Sequence, residues 1–188
     1  IEKIINICES LHNSKPPILL NGLSLDNIMF DLSSGSEEIL LRNLINLRYF
    51  DASLKFNNIH GVSPFLISSE SFNNVFTPKT DQFNIAAVLF NMIEGIPPWY
   101  NEKGVNLNNS EDIDALIEER TIPIKFLNNQ DDHLKKIIIK SLDSNSDNRF
   151  DSLKSMLKFL NRETLFVEEK STIIKKSKKQ GNGFKDIG

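Results

Sequence analysis

The stretch Thr80-Asp-Gln-Phe-Asn-Ile-Ala-Ala-Val-Leu-Phe-Asn-Met-Ile-Glu94, closed by Gly95-Ile-Pro-Pro98, decides the architecture. Ile85, Ala86, Val88, Leu89, Met92 and Ile93 wrap most of a helical circumference, and a glycine followed by two prolines supplies the stop. A helix that is apolar all round must be covered all round. Residues 80–94 are therefore predicted to form a central helix, the most buried of the chain.

Upstream of it, Ile1, Ile4, Ile5, Cys8 and Leu11 step by three and four, which predicts an amphipathic helix ending before Lys15-Pro16-Pro17. Ile18-Leu19-Leu20, Ile28-Met29-Phe30 and Ile39-Leu40-Leu41 are short apolar runs separated by turn residues, and read as short strands. Residues 43–76 show no period. Their Asn, Ser, Pro and Gly surround Tyr49, Phe50, Phe56, Phe65 and Phe72, the pattern of a long loop pinned by aromatics. Downstream, one-faced stripes predict helices at 112–120, 133–142 and 151–161. Beyond Glu163 the stripe fades and Lys175-Lys176-Ser177-Lys178-Lys179 leads into Gly181-Asn182-Gly183, so residues 163–188 read as a basic flexible tail. The fold class is mainly α with a few short strands, carried by one domain over residues 1–162.

Composition narrows the function classes. With 188 residues, 39% hydrophobic and 25% charged, the chain can build one sizeable core. A net charge of -3 and a pI near 5.7 give no field that would draw it onto nucleic acid or an anionic membrane. Cys8 has no disulfide partner, and His12, His60 and His133 are too scattered for a zinc site, so a reducing compartment and no metal are expected. No apolar run approaches the roughly 20 residues of a membrane span, and no leader pattern opens the chain. The expected location is cytoplasmic, with a nuclear one open through the lysine cluster.

Particular residues then carry a family resemblance. Pro17-Ile-Leu-Leu-Asn-Gly-Leu-Ser-Leu-Asp-Asn27, running into Ile28-Met-Phe30, resembles the catalytic loop of eukaryotic-type protein kinases, a His-Arg-Asp-Leu-Lys-Pro-x-Asn pattern between short apolar strands. Gly61-Val-Ser-Pro-Phe-Leu-Ile-Ser-Ser-Glu70 is similar to the end of a kinase activation segment, which closes on Ala-Pro-Glu. Asp81 stands where the family has a buried Asp at the start of its central helix, and Gly95-Ile-Pro-Pro-Trp99 resembles the Gly-x-x-Pro-Phe after it. Arg149 stands where the family has the Arg that pairs with the Ala-Pro-Glu carboxylate. The resemblance implies a protein kinase-like C-terminal lobe, an α+β family fold, over residues 1–162 without its N-terminal lobe.

It also implies a loss of chemistry. Phosphoryl transfer needs a carboxylate on the substrate hydroxyl, carboxylate and amide ligands for magnesium, and a lysine on the phosphates. In the loop frame the family's His is Leu20, its Arg is Asn21, its catalytic Asp is Gly22, its Lys is Ser24 and its Pro is Leu25; only Leu23 and Asn27 match. The metal-binding Asp-Phe-Gly has two registers, Asn43-Leu44-Ile45 or Tyr49-Phe50-Asp51, and neither opens on an acid. No catalytic or metal residue is expected, and Asn27, Asn43 and Asp51 are the weak candidates for cofactor contact. Leu20, Asp81, Glu70 and Arg149 are expected to hold the fold.

Two functions follow from the resemblance. One is an inactive, pseudokinase-like domain that binds no cofactor and serves as a signalling scaffold for a protein or peptide partner. The other is a divergent Ser/Thr-type protein kinase whose ATP-binding lobe lies upstream, using ATP and magnesium through Asp26, Asn27 and Asp51. A helical scaffold unrelated to kinases remains a third possibility. Ser53 and Ser63 lie in the activation-like segment as candidate phosphorylation sites.

Overall fold

The structure, a computed structural model, describes residues 1–32, 38–50, 61–128 and 131–163. Its helices are α1 (Glu2–His12), α2 (Ser69–Phe72), α3 (Pro78–Glu94), α4 (Ser110–Glu119), α5 (Asp132–Ser141) and α6 (Leu153–Leu160). Its strands are β1 (Ile18–Leu19), β2 (Ile28–Asp31), β3 (Glu38–Leu41) and β4 (Arg48–Tyr49). The class is mainly helical with a few short strands. Asp51 and Ser53, the lysine cluster and the rest of the tail from residue 164 lie outside the described residues.

The central helix begins two residues before the apolar pattern does. Thr77 caps it by accepting from the Lys79 amide, Thr80 Oγ1 accepts from the Thr77 amide in return, and Pro78 fills the first turn, where its missing N–H is no loss. Gly95 ends it in the left-handed conformation, φ 79°, with its amide on the Asn91 carbonyl. Thr80 to Phe90 are buried without a break. The last turn departs from expectation: Met92 is 43% exposed, because the apolar circumference runs on past the elements that cover it. Around α3 pack α1 and α5, and α6 closes against both α1 and α5. Ile4, Ile5, Phe83, Ile85, Ile137, Ile138 and Met156 form the innermost core.

The described parts of residues 43–76, 43–50 and 61–76, are less irregular than the sequence suggests. Arg48 and Tyr49 pair antiparallel with Leu19 and Ile18, and the Phe50 amide continues the ladder to the Pro17 carbonyl. Ser69–Phe72 adds one turn of helix. Neither has a readable period: two strand residues and four helical ones are too few, and the strand's partner lies some thirty positions away. The other pair, β2 with β3, sets Met29 opposite Leu40 and Phe30 opposite Ile39.

Cys8 sits wholly inside the core, where burial first and the nearby Asp81 carboxylate second push its thiol up, far from the ionised form. Alkylation of Cys8 by a maleimide is therefore expected to track global unfolding, being slow at neutral pH in buffer and complete in denaturant. Fast labelling of the native chain would show that α1 opens locally. Among the described residues no helix is long and apolar enough to cross a membrane, and no group of acidic, His and Cys side chains could hold a metal ion.

Candidate functional site

Buried polar residues look wasted on α3, yet Asp81, Gln82 and Asn84 are each spent on loop backbone. Asp81 Oδ2 accepts the Leu20 amide at 2.8 Å and Oδ1 accepts the Asn21 amide at 2.9 Å, while His12 Nε2 lies 2.9 Å from Oδ2. Asn84 accepts the Leu23 amide and donates to the Leu23 and Leu66 carbonyls, both at 2.9 Å. Gln82 exchanges two hydrogen bonds with the backbone of Phe150. One helix thus fixes the Leu20–Leu23 loop, the 61–70 segment and the loop before α6. Leu20 itself is packed in the core, 1% exposed.

The loop it fixes has an unusual backbone. Asn21 has φ 53° and Gly22 has φ 140°, consecutive residues in the half of conformational space that L side chains avoid. Asn is among the few residues that tolerate the first position; the second suits glycine alone. Gly22 is also buried, walled by Ile67, Ser68, Ser71, Thr80 and Asn84.

Asn27 and Asn43 are brought together. Asn27 Nδ2 donates to the Arg42 and Asn43 carbonyls at 3.1 and 3.3 Å, and its Oδ1 accepts both the amide and the hydroxyl of Ser24, at 2.8 and 2.9 Å. Every position on that amide is engaged within the chain. Asn43 is exposed with φ 55°, and the following Leu44 packs against the core, whereas Tyr49 is committed to β4 and is 61% exposed. Of the two segments, Asn43-Leu44-Ile45 is described in full and sends Leu44 to the core, while Asp51 of the other lies outside the described residues. Asp26 is exposed on the 3-10 turn Leu25–Asn27.

Glu70 and Arg149, 79 positions apart, meet as a two-pronged ion pair. Arg149 Nη1 lies 2.6 Å from Oε1 and Nη2 3.0 Å from Oε2. The guanidinium, with no exposed side-chain surface, also donates to the carbonyls of Asp143 and Lys79 and lies over the Phe83 ring.

Sequence reading missed two members of this arrangement. His12 ends α1 as the third partner of Asp81; a polar residue closing an apolar stripe just before the loop was its signal. Arg120, just past α4, points inward: it donates to Ser69 Oγ and the Pro64 carbonyl and lies against the rings of Phe72, Phe83 and Trp99. Its place four residues after the buried Leu116 was the available hint. Burial pulls its guanidinium down to about 9, with Glu70 opposing and Arg149 adding, so it stays charged at neutral pH.

No protein-family model matches the sequence, and no curated protein does. Among solved structures it is similar to the kinase PK-1 of the Cydia pomonella granulovirus, with a TM-score of 0.63 and 15% identity over 83% of this chain. The match spans 57% of the viral chain. At that identity the likeness is one of fold: the chain has a protein kinase-like fold.

Proposed function

We infer that the chain is a catalytically inactive protein kinase-like domain, equivalent to a kinase C-terminal lobe, that binds a protein or peptide partner. The observation that carries this reading is Gly22. In the frame of the family's catalytic loop it replaces the proton-accepting carboxylate, and it combines no side chain with φ 140° and burial. Restoring an Asp there would meet backbone strain of about 1–3 kcal/mol. Asn27, the one metal-ligand position whose residue type is retained, has both acceptor sites of its oxygen engaged by Ser24.

Exposed apolar side chains on and next to the strands support a protein partner. Phe30, Leu32, Ile45 and Tyr49 are each more than half exposed, and Met29 and Leu40 stand side by side across the β2–β3 pair. Exposed apolar side chains in this number favour a protein partner over a small polar ligand.

A thermal-shift titration of the full chain with ATP and magnesium tests the reading. A ligand bound only to the folded state at a hundred times its dissociation constant stabilises by about 2.7 kcal/mol, which for this size raises Tm by several degrees. The expected result is no magnesium-dependent rise and no phosphate transfer. A saturable rise, or transfer to a generic acceptor protein, would establish the divergent kinase instead.

A further inference from the structure

Beneath Gly22 lies a cavity of about 10 Å³, walled by Asn21, Gly22, Ile67, Ser68, Ser71, Thr80 and Asn84. None of these is ionisable, so an ion there would lose its hydration with no opposite charge to replace it. Most of the polar atoms in the wall are already satisfied. Thr80 Oγ1 donates to the Thr77 carbonyl and accepts the Thr77 amide, and Asn84 has both amide protons and its oxygen bonded, to Leu23 and Leu66.

Two groups are left over, and they are complementary. Asn21 is 6% exposed, and its Oδ1, fully buried, meets no donor among the described residues. Ser68 Oγ and Ser71 Oγ lie 2.8 Å apart and share one proton, so the other hydroxyl proton of the pair has no acceptor among the described residues. The buried acceptor and the buried donor belong to residues that line one space, and each costs about 1–3 kcal/mol if left unmade. Only a molecule that both donates and accepts, and is no larger than the space, satisfies the two.

We propose that this cavity holds one ordered water, which donates to Asn21 Oδ1, accepts from the spare hydroxyl of the Ser68–Ser71 pair, and so ties the loop at Gly22 to the start of α2. The volume is of the size one water needs, about 10–15 Å³. The water makes, between the loop and the segment that ends at Glu70, the polar link that a side chain at position 22 cannot make. The inference stands apart from the proposed loss of catalysis, since it rests only on the wall of the cavity.

The test combines a crystal structure of the full chain, at a resolution that shows ordered solvent, with the variant Ser71→Val. The expected structure has a solvent peak within hydrogen-bonding distance of Asn21 Oδ1 and of one of the two serines, absent in Ser71→Val. The valine methyl groups take the water's place, so Tm is expected to fall. The fall should be smaller in an Asn21→Gly background, which keeps the positive φ and removes the stranded oxygen. Three results would each overturn the proposal: no solvent peak in the native cavity, a Tm that rises on filling it, or an equal fall in both backgrounds.

Discussion

Replacing Asp81 with Ala is expected to lower Tm by roughly 10 °C, the largest effect of any single substitution outside the aliphatic core. The carboxylate has no exposed surface and serves the Leu20 amide, the Asn21 amide and His12 at once. Its loss strands those partners in the interior, and each buried orphan costs about 1–3 kcal/mol. A total of about 3–5 kcal/mol results, and each kcal/mol moves Tm by about 2–4 °C in a domain of this length. Asp81→Asn should cost less, since the amide still offers one oxygen to the loop while its NH₂ faces an amide that wants an acceptor. Thermal denaturation followed by circular dichroism measures both. A loss for Asp81→Ala of under about 1 kcal/mol, the worth of one ordinary hydrogen bond, would mean that the loop is held by something else.

Glu70→Ala is expected to be nearly as severe, because it strips the carboxylate from a guanidinium that cannot reach water. Arg149 would keep two carbonyls and the Phe83 ring but face Arg120, over the same ring, without the anion between their charges. Breaking such a pair costs about 3–5 kcal/mol. Arg149→Met should cost less than Glu70→Ala, since Glu70 keeps 19% of its side-chain surface in contact with solvent and can hydrate. The double variant should cost less than the two single losses added together, with a coupling of about 0.5–3 kcal/mol. Strict additivity in urea denaturation would show that the pair contributes no more than its separate contacts.

Legibility followed the physics of each element. The buried helix could be read because an apolar circumference leaves a mark at every position, and α1, α5 and α6 because one-faced stripes do the same over two or three turns. The Glu70–Arg149 pair was reachable only through resemblance, since nothing local to either residue speaks of a partner 79 positions away. Arg120 and the β1–β4 pairing were faint for a related reason: a charged residue at a helix end and two residues of strand are ordinary until a distant partner is known. Met92 was misread because periodicity tells which residues could be buried, not where the neighbouring elements stop. A missing functional group, as at Gly22, is legible in the sequence itself, whereas a polar residue can face either way. Asn27 was one such residue. Its amide could equally have turned outward, and only the Ser24 contacts show that it closes its own loop.

The packing of α1 on α6 also constrains the order of events during synthesis. Helix α1 leaves the ribosome well before α6 and buries Ile4, Ile5 and Cys8 partly against it, so until Leu153–Leu160 has emerged that face lacks part of its cover. Between the two the nascent chain must carry an exposed apolar stripe for the time needed to make about 150 further residues, on the order of ten seconds at about 5–20 residues per second. Over that interval the chain is a client for whatever binds unfolded apolar segments, and a stop codon placed before α6 would leave it one permanently.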